Sequence, residues 1–120
     1  MSRLLAPRIP LEAEIQRAVL LYLKYDKRVA WAERINSGAH VVGAGKARRY
    51  VRFNTIEGCS DIIGQIVSGE FLAIECKRPG CYPTEEQRGF LEKVRSFGGC
   101  AGVARSIDDV DKILRGFYGG

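Results

Sequence analysis

The chain has 120 residues, of which 46% are hydrophobic and 28% charged, enough for one hydrophobic core and too few for two. Its 19 Lys and Arg outnumber its 14 Asp and Glu, a net charge of +5 with a pI near 9.2, which favours a polyanionic partner. No apolar run approaches the roughly 18 residues of a spanning helix, and the apolar part of "MSRLLAPRIP" is too short for a signal peptide, so the sequence points to a cytoplasmic protein with no membrane partner.

Residues 11–25, "LEAEIQRAVLLYLKY", repeat Leu11, Ile15, Ala18, Val19 and Tyr22 at helical spacing, with Pro10 suited to a helix start. Residues 28–36 alternate as a strand, with Trp31 expected in the core. The Gly-rich, basic run "SGAHVVGAGKARR" reads as a mobile loop or an irregular hairpin, followed by a short strand at 50–53 and a turn at "NTIEGCS". Residues 61–67 and 71–77 are strands joined by a tight connection at Ser68-Gly69-Glu70. "TEEQRGFLEKVRSFGG" is a helix ended by Gly98-Gly99, with Phe90, Leu91, Val94 and Phe97 as its sheet-facing stripe. A short strand at 100–104 precedes a terminal helix that Ser106 caps, with Asp108 and Asp109 in its first turn. These elements predict one α/β domain spanning residues 1–120, summarised as α-β-β-β-α-β-α. Its early strands should be antiparallel, and the strand after the second helix should join in parallel.

Cys59, Cys76, Cys81 and Cys100 form no C-x-x-C pair, and His40 is the single histidine. The expectation is four reduced thiols rather than a structural zinc site. "GAGK" lacks the spacing of a phosphate-binding loop.

Chemistry concentrates in "FLAIECKRPG", residues 71–80. Alternation along the strand turns Glu75 and Lys77 to one side, at the strand's C-terminal end. Pairing about the tight connection brings Asp61 opposite that end. Two carboxylates and a lysine suit a hard divalent cation bound to substrate phosphate, the requirement of phosphodiester hydrolysis. The competing reading is a cross-strand ion pair at a solvated sheet end. A carboxylate after four apolar residues sits too deep for a bare pair to repay its desolvation well.

The ordered set "GCSDIIG…FLAIECKRPG…TEEQRGFLEKVRSFGG" resembles the VRR-NUC nucleases of the PD-(D/E)XK superfamily, and the likeness extends from "EAEIQRAVLLYL" to "GVARSIDDVDKIL". The resemblance implies a restriction-endonuclease-like fold, a mixed central sheet flanked by helices. It implies Asp61, Glu75 and the backbone carbonyl of Cys76 as ligands of Mg²⁺, for which Mn²⁺ substitutes, and Lys77 as the catalytic lysine. Ser60 stands where the superfamily's name has proline, as is usual in this branch. Glu14 resembles the acidic residue of the family's first helix and is a possible further metal ligand. By helical geometry it lies at the edge of the apolar face, where it could equally be a boundary glutamate, and Glu12 is its rival. Gln87 matches the family's T-x-x-Q glutamine, a catalytic residue, yet Thr84 and Gln87 also spell a capping box. Arg34, Lys46, Arg48, Arg49, Arg52 and Arg78 are candidates for phosphate contact, and Tyr50, Tyr82 and Trp31 for base stacking.

Small stand-alone members of the family resemble Holliday-junction resolvases of bacterial or phage origin and act as homodimers. The expected function is therefore a metal-dependent, structure-specific DNA endonuclease acting on branched DNA. Two rivals are a catalytically inactive nucleic-acid-binding or assembly subunit with the same fold, and an interaction domain that takes up neither metal nor DNA.

Overall fold

The computed structural model describes residues 8–35, 39–52 and 56–119, with side chains left aside at 39–42, 49–52 and 119. Helix α1 (Glu12–Tyr25) leads into β1 (Val29–Arg34). Strands β2 (Ala39–Val42) and β3 (Arg49–Arg52) enclose a 3-10 turn at Gly45–Ala47. Then follow β4 (Ile62–Ile66), β5 (Phe71–Cys76), α2 (Glu85–Ser96), β6 (Cys100–Ala104) and α3 (Ile107–Gly119). The fold is α/β, a four-stranded mixed sheet in the order β1-β4-β5-β6 flanked by three helices.

The expected order α-β-β-β-α-β-α is corrected in one respect: five strands, not three, separate the first two helices. The Gly-rich basic run is half of a separate antiparallel hairpin, β2 with β3, in which Ala39 pairs with Arg52 and Val42 with Arg49. Gly43 and Gly45 adopt positive φ in its connection, which lets that chain turn tightly. Phe53, the expected end of the following strand, lies outside the described residues.

The expected strand directions hold. β4 runs antiparallel to both β1 and β5, and β6 joins β5 in parallel after α2 crosses over. One face of the sheet carries Ile62, Ile66, Leu72, Ile74, Cys76, Cys100 and Ala104, packed with Ile15, Val19 and Leu23 of α1 and Val110 and Leu114 of α3. Arg28 ties this layer together at one end, donating to Asp26 at 2.7 Å and to Asp111 on α3 at 2.9 Å. The alternate residues of β4 and β5 turn to the other face, where Ile63 and Phe71 line a groove with Phe90 and Val94 of α2.

Two expectations about the core are overturned. Trp31 is 43% exposed, because a β-bulge between Val29 and Trp31 breaks the alternation and leaves Val29 and Ala32 as the buried residues of β1. Its indole N–H donates to Gln65 Oε1 at 3.0 Å. Phe97 is 86% exposed, since it caps the C-terminus of α2 and falls outside the stripe that meets the sheet.

Two glycines set close approaches. A Cβ on Gly64 would stand 2.3 Å from Trp31 O, so glycine lets β1 and β4 come together at the bulge. Gly58 has φ +71° and docks the segment before β4 onto α2, where a Cβ would stand 2.1 Å from Glu86 O. Gly58→Ala is therefore expected to lower stability by roughly 2–4 kcal/mol, through left-handed strain and backbone collision together. Chemical denaturation measures this, and an unchanged midpoint would refute the docking.

Candidate metal and catalytic site

The register of β4 on β5 pairs Ile62 with Ile74, and its next step sets Asp61 across from Glu75. Two backbone N–H groups fix the pair. Asp61 N–H donates to Glu75 Oε1 at 3.1 Å, and Cys76 N–H donates to Asp61 Oδ2 at 2.8 Å. Each carboxylate is thus held by the backbone of the opposite strand. Upstream, Ser60 is buried and its hydroxyl donates to Ile62 O at 2.9 Å, which pins the entry to β4. Ile35 N–H donates to Asp61 O at 2.7 Å, so the end of β1 closes the third side.

Glu75 is only 1% exposed, and its Oε2 has no hydrogen-bond partner among the described residues. Its carboxyl is pushed up to about 8, first by burial and then by the neighbouring Asp61 carboxylate; Lys77 offsets part of this. Lys77 is half-buried beside the pair, and its backbone N–H is held by Ala104 O at 3.1 Å. Among the described residues no salt bridge joins Lys77 to Glu75 or Asp61. The simple ion-pair reading of this sheet end therefore lacks its bond. The Cys76 thiol joins the core on the far face, and burial, followed by the adjacent carboxylates, pushes its pKa far up. Cys76 thus belongs to the site through its backbone. None of the four cysteines is in a disulfide.

Asp61, Glu75, Cys76 and Lys77 are brought together; Glu14 and Gln87 are engaged elsewhere. Glu14 accepts two hydrogen bonds from Arg8, at 2.9 and 2.8 Å, and this partner draws its carboxyl down to about 2. Arg8 lies six residues upstream, on the non-helical chain before α1. Gln87 completes the capping box of α2: its Oε1 accepts from Thr84 N–H at 2.8 Å, and its own N–H donates to Thr84 Oγ1 at 3.2 Å. Among the described residues no third Asp, Glu, His or Cys side chain joins Asp61 and Glu75 closely enough to make a metal-holding group of three. A pair of carboxylates with a backbone carbonyl still suits Mg²⁺, which keeps several waters and takes other oxygens from phosphate. The orphaned, buried Glu75 Oε2 is the observation that fits such an ion.

Of the basic candidates, Arg78 is half-buried and its Nε donates to Pro10 O at 3.1 Å, joining the end of β5 to the start of α1. Arg34 is exposed at the end of β1, paired with Ile62 beside Asp61. Lys46 and Arg48 are exposed at the turn of the β2–β3 hairpin, and Arg49 and Arg52 bound β3. A groove of about 820 Å³ beside α2, lined by Ile63, Phe71, Phe90 and Phe97, contains neither carboxylate. Glu57, Glu70 and Glu86 on its wall outnumber Lys93 and give it the wrong sign for a phosphate backbone.

No protein family, curated protein or solved structure matches this chain.

Between the ordinary carboxyl value of 4.5 and about 8, folded Glu75 holds a proton that the unfolded chain has released. Stability of the metal-free protein therefore falls as pH rises through that window, and the penalty is fully present above it. Glu75→Gln is expected to raise the melting temperature at pH 9 by roughly 5 °C or more and to leave it nearly unchanged near pH 4. An equal shift at both values would sink this account of the pair.

The capping role of Gln87 is separable from chemistry. Thr84→Ala and Gln87→Ala should each cost about 1 kcal/mol in denaturant unfolding; a loss confined to Thr84→Ala would show that Gln87 is not held by the cap.

Proposed function

We propose that this chain is a Mg²⁺- or Mn²⁺-dependent DNA endonuclease of the VRR-NUC type, with a restriction-endonuclease-like fold. Its substrate is branched DNA such as a Holliday junction, and it acts as a homodimer. One observation carries the reading: the buried Glu75 carboxyl, held against Asp61 with one oxygen lacking any partner among the described residues. Such an arrangement costs stability in the free protein and is relieved by a cation.

Asp61 and Glu75 would hold the ion, with the Cys76 carbonyl as the third protein oxygen. When bound, the ion polarises the phosphodiester and lowers the pKa of water. Lys77, beside the carboxylates and outside any salt bridge among the described residues, positions the attacking water or neutralises a phosphate oxygen. Glu14 adds a ligand only by leaving Arg8, and Gln87 orients water only by leaving Thr84. Arg34, Lys46, Arg48, Arg49, Arg52 and Arg78 supply phosphate contacts that give affinity without sequence choice.

A second reading, a non-catalytic nucleic-acid-binding subunit, is favoured by the engagement of Glu14 and Gln87 away from the carboxylate pair. The two readings separate on metal and cleavage. Purified protein is expected to cut a four-way junction or a flap in Mg²⁺ and not in EDTA. Glu75→Ala and Lys77→Ala should each lower the rate by about 100-fold or more, and calorimetry should register Mn²⁺ uptake. Cleavage surviving both substitutions would overturn the mechanism. Salt-sensitive DNA binding with no Mn²⁺ uptake would favour the second reading.

A further inference from the structure

The end of the sheet that holds the carboxylates continues into a second cluster. β6 runs parallel to β5 with Cys76 beside Ala104, so the next step of the register sets Arg105 beside Lys77. Asp61, Glu75 with Lys77, and Arg105 thus stand at the same end of three consecutive strands. Strands lie about 4.8 Å apart and rise about 3.3 Å per residue, so two strand spacings and a two-residue offset put the backbone at Arg105 about 12 Å from that at Asp61.

Arg105 is positioned from two sides. Its backbone N–H donates to Asp109 Oδ2 at 2.8 Å, and its Nη2 donates to Cys81 O at 2.7 Å. The second bond fixes the loop that leaves β5, and the guanidinium then lies over the Tyr82 ring, 5.2 Å from its centroid. Tyr82 itself is 74% exposed. Among the described residues, the guanidinium N–H groups on Nε and Nη1, and the second on Nη2, have no hydrogen-bond partner. An aromatic ring this exposed gains little from burial, yet it lies against a cation that is itself tied to the backbone. A rigid aromatic face backed by a guanidinium is what an unpaired base stacks on, with spare N–H groups for the adjoining phosphate.

We propose that Tyr82, backed by Arg105, is a stacking platform for an unpaired nucleotide next to the phosphodiester bond that is cut. The platform makes unpaired nucleotides at a branch, rather than continuous duplex, the substrate feature this chain selects. A base within a duplex is stacked on its neighbours and has no face to offer; a base at a branch or on a single-stranded arm does. The stacking site stands on its own geometry, whereas its place beside the cut rests on the nuclease reading.

The test uses the full chain in EDTA with fluorescein-labelled DNA, either a duplex carrying a single-stranded arm or the same duplex with blunt ends. Anisotropy gives the ratio of the two affinities. In Tyr82→Ala this ratio is expected to fall about ten-fold, the size of one lost base–aromatic stack. Tyr82→Phe, which keeps the ring, should retain it. A 2-aminopurine at the first unpaired position should be quenched by the wild type and by Tyr82→Phe, and not by Tyr82→Ala. An unchanged ratio in Tyr82→Ala would overturn the platform, whether or not its melting temperature falls, and the ring would then serve only to brace the loop. Mg²⁺ cleavage of the armed duplex judges the nuclease reading separately. If the wild type stacks the base and never cuts, the platform stands as a binding site and its place beside a scissile bond is lost.

Discussion

The structure is organised around two carboxyl groups that oppose each other at the end of β4 and β5. Asp61 accepts from the backbone of β5 and Glu75 accepts from the backbone just before β4, so each is held in place from the opposite strand. Burial and mutual repulsion both act against ionising Glu75, and a protein selected for stability alone would place an apolar residue there. Among the described residues the segments that carry the pair are pinned nearby: by the buried Ser60, by the close approach of Gly58 to α2, by the end of β1 on Asp61 O, and by β6 on the Lys77 backbone.

The surroundings divide by charge in a way that bears on a partner. The groove along α2 is apolar and rimmed with glutamates, while cations gather at the carboxylate end of the sheet and on the β2–β3 hairpin. A polyanion laid across the molecule would meet Arg34, Lys77, Arg78 and Arg105 at one sheet end and avoid the groove. Because phosphate contacts carry no sequence information, selection among nucleic acids would have to come from shape and from unpaired bases. An exposed ring with a guanidinium over it, on the strand next to Lys77, would suit that need.

Two of the side chains that the resemblance singles out have other partners in this structure, and both partners are close in sequence. Arg8 lies on the chain leading into α1, and Thr84 is the N-cap of the helix that Gln87 occupies. Local contacts of this kind form at little loop-closure cost, so they compete well for a polar side chain when no cation or phosphate is bound. The capping box could be read beforehand from its T-x-x-Q spacing; the Arg8 pair, between flexible side chains near a helix start, had no comparable signature.

What the sequence determined by itself was whatever depends on short-range periodicity. The alternation of β4 and β5 and the tight connection between them set Asp61 opposite the Glu75–Lys77 end of β5, the structure supplying the register that faces it with Glu75, and Ser106 and Thr84 mark helix starts through their hydroxyls as Gly98 marks a helix end through its positive φ. The tertiary structure decided what covers each face. Trp31 and Phe97 are apolar enough for a core, yet a bulge turns one outward and a helix end leaves the other uncovered. The basic glycine-rich run left loop and hairpin both open until its strand β2 paired with β3. The burial of Glu75, with Oε2 unpartnered among the described residues, and the seating of Arg105 against Tyr82 depend on how the strands and loops pack, the latter on the crossover that sets β6 beside β5. Periodicity fixes which way a side chain points along its own element, but its partners and its burial are set by the elements packed around it.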